Sequence, residues 1–184
     1  FLNKIKNDYN IVNGIDVNSS AISYSKKHLN LNLEEGDFIK KNIYKNLYNI
    51  FCMFDVIEHL SDPNLFLKKI NDISSNDSYL FITTGDIKSI NAKIKGKNWR
   101  LIHPPTHIHY FSKNSITKLL EKHNFKVVDI KYIGNYRNLK FILNKIPIFT
   151  KNFKWLNYLI KFLKLNKIDI YLNLFDIMFV IAKK

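Results

Sequence analysis

Residues 48–70 read YNIFCMFDVIEHLSDPNLFLKKI. Tyr48–Phe54 is an apolar run of the length expected for a buried strand. Asp55, Glu58 and His59 follow it as a polar turn. Asp62-Pro63 then opens a helix, where proline is tolerated because its missing N–H falls in the unpaired first turn. Leu65, Phe66, Leu67 and Ile70 give that helix an apolar face. A fully apolar strand, a polar turn and an amphipathic helix form the repeating unit of parallel α/β sheets.

The same alternation continues in both directions. Upstream, residues 1–8 read as the end of a helix. Residues 9–17 (YNIVNGIDV) form a short strand ending in an acid. Ser19 or Ser20 caps a helix to about Leu29, and Leu31–Glu35 is a short strand that leaves through Gly36-Asp37. Downstream, Tyr79–Thr84 (YLFITT) is a strand, and a loop with Gly96, Trp99, Pro104 and Pro105 follows it. Ser112 caps a helix to about Lys122. Phe125–Ile133 and Ile170–Ala182 are the last strands. The expected fold class is α/β, with a mainly parallel sheet covered on both faces.

Composition narrows the function classes. Hydrophobic residues are 46% and charged residues 24% of the 184, a globular balance that excludes a disordered or collagen-like chain. No apolar run reaches the roughly 18 residues of a membrane span, and FLNKIKNDYN lacks the apolar core of a signal peptide. A single cysteine, Cys52, rules out an internal disulfide framework and fits a cytoplasmic setting. The formal net charge is +14, yet only Arg100 and Arg137 are arginine. Nucleic-acid readers favour arginine for bidentate contacts, so this charge argues against a nucleic-acid partner. Residues 130–168 hold nine cations and no carboxylate, which makes the basic character local. Phe153, Leu156, Leu159, Ile160 and Leu163 recur there at helical spacing among lysines. That pattern suits a lid over an acceptor pocket, or a helix in peripheral contact with a membrane surface.

In open parallel sheets, ligands sit beyond the carboxyl ends of the strands. Gly14-Ile15-Asp16 places an acid where it can accept both hydroxyls of a ribose. Gly36-Asp37-Phe38 offers an acceptor for an adenine amino group and a ring to flank it. A solvated turn residue or a helix cap is the plain alternative for each acid. Asp55, Glu58 and His59, at spacing i, i+3, i+4, can share one face of a helical turn and hold a divalent cation. Their plain alternative is a hydrogen-bonded loop. His103, His107 and His109 lie in RLIHPPTHIHYFS; an imidazole can take a proton from a hydroxyl, or simply pack.

GIDVNSSAI, EEGDF, FDVIEHLSDPNLFLKKI, YLFITTGD and HIHYFSKNSITKLLEKHNFKVVDI together resemble class I S-adenosylmethionine-dependent methyltransferases. The branch they are most similar to contains the ubiquinone-pathway 3-O-methyltransferases. The resemblance implies a Rossmann-like sheet whose last two strands form an antiparallel hairpin. It implies S-adenosylmethionine bound by Asp16, Val17, Asp37, Phe38 and Phe54, with Phe54 beside the methionine end. It implies magnesium at Asp55, Glu58 and His59, and His107 and His109 near the acceptor. The acceptor would be a small molecule, a lipid precursor or a sugar, methylated at oxygen. Residues 1–184 would form a single domain with a basic helical insertion at about 135–168. The oligomeric state is left open.

One family feature is missing. The Gly-rich turn of the family lets backbone amides approach the cofactor, which requires residues without side chains. Of the five glycines, Gly14, Gly36, Gly85, Gly96 and Gly134, none forms such a turn ahead of Asp16. The expectation is therefore an N-terminally truncated domain that lacks the first strand. Two alternatives stand beside an active enzyme: a catalytically incompetent remnant and a basic membrane-surface module.

Overall fold

The computed structural model describes residues 1–139 and 168–184. Most of the expected insertion at 135–168, with the lid and membrane-contact expectations, lies outside the described residues. Residues 135–138 belong to the strand that precedes it.

The chain order is α1 (Leu2–Ile5), β1 (Gly14–Asp16), α2 (Ser19–Leu29), β2 (Leu33–Glu35), β3 (Ile50–Phe54), a 3-10 turn (Ile57–His59) and α3 (Pro63–Ile73). Then come β4 (Tyr79–Gly85), α4 (Ile90–Lys95), a second 3-10 turn (Gly96–Asn98), α5 (Lys113–Lys122), β5 (Lys126–Asn138) and β6 (Asp169–Lys183). The expected loop after β4 thus contains a short helix. No helix among the described residues is long and apolar enough to cross a membrane.

Local chemistry sets the helix starts. Asp62 accepts the Asn64 N–H at 2.8 Å, with Pro63 in the first turn. Ser112 and Ser115 cap α5 reciprocally. The α2 cap is Asn18 instead of Ser19 or Ser20; its side-chain oxygen accepts the Ala21 N–H at 3.0 Å. Asparagine outcompetes the serines because the chain leaves β1 in extended geometry at that position.

The strands form two sheets. β1 and β2 pair in parallel. The larger sheet has the order β3-β4-β6-β5, with β3 and β4 parallel and β6 antiparallel to both of its neighbours. This is the expected Rossmann-like arrangement, with a parallel part and a C-terminal antiparallel hairpin. The core lies around the larger sheet: Ile57, Leu67, Leu80, Ile82, Ile116, Leu120, Phe125 and Met178 are fully buried. At about 25 cal/mol per Å² of apolar surface, such burial supplies the main folding force. From α1, β1, α2 and β2, only Ile22 is buried.

β1 does not pair with β3. An apolar cleft of about 900 Å³ lies between them, lined by Phe1, Ile5, Gly14 and Ile15 on one side. Ile50, Cys52, Phe54, Phe81 and Phe179 line the other.

Candidate functional site

The carboxyl ends of β1 and β2 lie side by side. The Gly36 N–H donates to the Asp16 carbonyl at 2.9 Å, which joins the two turns. Asp16 Oδ1 accepts the Asn18 N–H at 2.8 Å, and Asp37 Oδ1 accepts the Ile39 N–H at 2.9 Å. Each bond closes a local turn of the kind aspartate makes readily, and occupies one carboxylate oxygen. Val17, directly after Asp16, is 75% exposed.

Phe38 is held more firmly. Its ring stacks on Phe66 at 5.4 Å, and Lys69 Nζ lies 5.1 Å from its centroid. The same ammonium donates to the carbonyls of Phe38, Ile39 and Lys41. Desolvation lowers the Lys69 pKa, opposed by the nearby Asp37 carboxylate. The loop after β2 is therefore nailed to α3 by one lysine, a tie with no signature in the sequence. Phe54 sits apart from this group. It ends β3 and faces the cleft, edge-on to Phe1 at 5.1 Å. The structure brings Asp16, Asp37 and Phe38 onto adjacent turns, and places Phe54 across the cleft from β1.

The acid–histidine group lies at the end of β3 and in the 3-10 turn that follows. Asp55 has a left-handed backbone, φ 53°. Its amide donates to the Thr83 hydroxyl at 2.9 Å, and that hydroxyl donates to Asp55 Oδ1 at 2.8 Å. This pairing turns Asp55 toward β4. Glu58, only 5% exposed, accepts from Thr84 Oγ1 at 3.1 Å. The Glu58 carbonyl also accepts the Ile108 and His109 amides, at 3.0 and 3.1 Å. These bonds pin the histidine segment against the 3-10 turn.

Two imidazoles meet there. His59 Nδ1 donates to the Thr106 carbonyl at 2.7 Å, and His107 Nδ1 to the Leu101 carbonyl at 2.8 Å. Their rings stand edge to face, 4.6 Å apart. Ligand atoms of Glu58, His59 and His107 lie within 4.8 Å of one another. Among the described residues, Asp55 is not part of any such group. Asp55 precedes the 3-10 turn and faces Thr83, while His107 comes to Glu58 and His59 from a distant loop. His109 Nε2 is buried and has no hydrogen-bond partner among the described residues. His103 Nδ1 bonds Thr106 Oγ1.

A buried anchor holds the segment that carries these histidines. Asp176, 1% exposed, accepts from Asn91 at 2.6 Å, the Trp99 indole at 2.9 Å and Arg100 at 2.7 Å. Trp99 lies so close to β4 that a Cβ on Gly85 would fall 2.9 Å from its ring, so only glycine fits there. The two threonines of FITTGD, polar in an apolar strand, were the available signal for Thr83 and Thr84; Asp176 in NLFDIMF was the signal for the anchor.

In an open α/β sheet the carboxyl ends of the parallel strands, where Asp16 and Asp37 stand, are the usual place for a ligand. The chain belongs to the methyltransferase domain family, whose sequence model matches residues 5–130. No curated protein matches the sequence. Solved structures share the fold. A methyltransferase of Archaeoglobus fulgidus aligns with TM-score 0.64 and 22% identity, covering 100% of this chain and 80% of that one. One of Thermotoga maritima gives 0.63 and 16%, covering 100% and 76%. The magnesium protoporphyrin IX methyltransferase of Synechocystis, solved with S-adenosylhomocysteine, gives 0.56 and 12%, covering 98% and 67%.

Proposed function

We propose that this chain transfers the methyl group of S-adenosylmethionine to an oxygen of a small molecule. The acceptor is a small molecule, a lipid precursor or a sugar, a range that the motif resemblance to the ubiquinone-pathway 3-O-methyltransferases supports. On this reading residues 1–184 form one methyltransferase domain. Asp16 accepts the ribose hydroxyls, Asp37 takes the adenine amino group, and Phe38 flanks the ring. The observation that carries the reading is the Gly36-to-Asp16 backbone bond, which sets two acids at adjacent parallel strand ends. Among the described residues, each carboxylate keeps a second oxygen for the cofactor. Phe54 and the cleft beside it lie toward the methionine end.

The acceptor side is the histidine segment. His107 and His109 stand near the 3-10 turn after β3, and the unpartnered His109 Nε2 is the nitrogen that an acceptor hydroxyl would satisfy. The reaction itself asks little more than alignment, since the sulfonium is already activated for displacement. A histidine within reach takes the hydroxyl proton as the oxygen attacks.

An NMR titration with S-adenosylhomocysteine tests the cofactor half. Binding is expected at the carboxyl ends of β1 and β2. It should move the Asn18, Gly36 and Ile39 amides. Asp16→Ala should weaken it by roughly tenfold or more, as expected for losing a charge-assisted hydrogen bond worth about 1.5–3 kcal/mol. Unchanged affinity in the variant, or no shift at those amides, sinks the assignment.

A further inference from the structure

We propose that Glu58, His59 and His107 form a binding site for a divalent transition-metal ion of the zinc class. The proposal shares His107 with the acceptor side of the methyl-transfer reading but makes no use of Asp16 or Asp37, so a failure of the cofactor assignment leaves it standing.

The tautomers are set by the backbone. A carbonyl oxygen can only accept, so the bonds from His59 Nδ1 to Thr106 and from His107 Nδ1 to Leu101 require both Nδ1 atoms to carry hydrogen. In each neutral ring the lone pair is then on Nε2. Metal-ligating histidines are commonly oriented in this way, with one ring N–H given to a carbonyl and the other nitrogen presented to the ion.

The carboxylate supplies the second argument. Glu58 is 5% exposed, and its one side-chain bond is to the neutral Thr84 hydroxyl. Among the described residues, no Lys, Arg or His nitrogen forms an ion pair with it. A buried carboxylate without a cation is costly unless something compensates its charge. A bound dication between Glu58 and the two imidazoles would do so. Zinc bonds of about 2.0–2.2 Å put ligands roughly 3.3 Å from one another, so on binding the three atoms would draw in from the 4.8 Å within which they lie.

The donor set also chooses the metal. Magnesium asks for near-octahedral oxygen ligation, whereas this group offers one carboxylate and two imidazoles. Two imidazoles and one carboxylate instead suit zinc and its first-row neighbours. The group runs from buried Glu58 to exposed His59, which leaves the ion an entry path and open positions on the solvent side.

Cobalt(II) serves as the probe. Titrated into the full chain, it should bind one equivalent and give visible d–d absorption, and zinc should displace it. A thousandfold excess of magnesium should not. His107→Gln should weaken cobalt binding at least tenfold, while Asp55→Asn should leave it unchanged. Equal losses in both variants, or displacement by magnesium, would overturn the proposal. If His107→Gln does not fold, histidine-detected NMR on the unmodified chain decides. Zinc should shift the Nε2 resonances of His59 and His107 and leave both Nδ1 atoms protonated. No shift at these two rings would end the idea.

Discussion

The Thr83 hydroxyl and Asp55 hold each other twice: the Asp55 amide donates to Thr83 Oγ1 at 2.9 Å, and Thr83 Oγ1 returns a bond to Asp55 Oδ1 at 2.8 Å. The pair locks the end of β3 to β4 while Asp55 sits in the left-handed region at φ 53°. Asparagine and aspartate tolerate that region better than most residues. The turn that presents Glu58 and His59 is therefore fixed from behind.

Thr83→Val keeps the shape and removes both bonds. It should cost about 1–2 kcal/mol of stability, because the Asp55 amide loses its side-chain acceptor but keeps the Thr83 carbonyl at 3.1 Å. Urea unfolding checks this, and a loss within a few tenths would show that the pair holds little.

Asp176→Ala should be far more damaging. It strands the Trp99 indole and the Asn91 amide, and removes the anion facing Arg100. Breaking a buried ion pair costs about 3–5 kcal/mol; the low end applies here, since Arg100 is 40% exposed and regains water. Urea unfolding should show the loss, and hydrogen exchange should show residues 90–111 opening first. A cost below about 1 kcal/mol would contradict the anchor role.

Cys52 tests the cleft. Its thiol has solvent contact, but desolvation by its apolar surroundings pushes its pKa up to about 11. Only the thiolate alkylates, so iodoacetamide at pH 8 should label it roughly a hundredfold more slowly than an ordinary thiol. The rate should climb steadily to pH 11. Fast labelling at pH 8 would mean that the cleft wall is open to water.

Tyr132 gives a pH dependence. Burial, then its bond to Asp86 at 2.6 Å, pushes the phenol up to about 12 from 10.0. Between those values the unfolded phenol is ionised while the folded one keeps its proton. Raising the pH through this window therefore favours unfolding. Urea midpoints should fall more steeply from pH 10 to 12 in the unmodified chain than in Tyr132→Phe. Parallel curves would refute the coupling.

What the sequence determined was local in origin. The alternation of apolar runs with amphipathic segments specified the α/β class, because side-chain periodicity is a property of neighbouring residues. Asp62 and Ser112 marked helix starts because a cap acts within three or four positions. Acids after Ile15 and Gly36 marked strand ends for the same reason. The tertiary structure alone decided which distant groups meet. It placed β6 between β4 and β5, opened a cleft between β1 and β3, and brought His107 beside Glu58 and His59. Asp176 met Trp99 and Arg100 only through the antiparallel return of β6. Such contacts depend on strand order and on the path of the loops, and short-range sequence pattern carries neither.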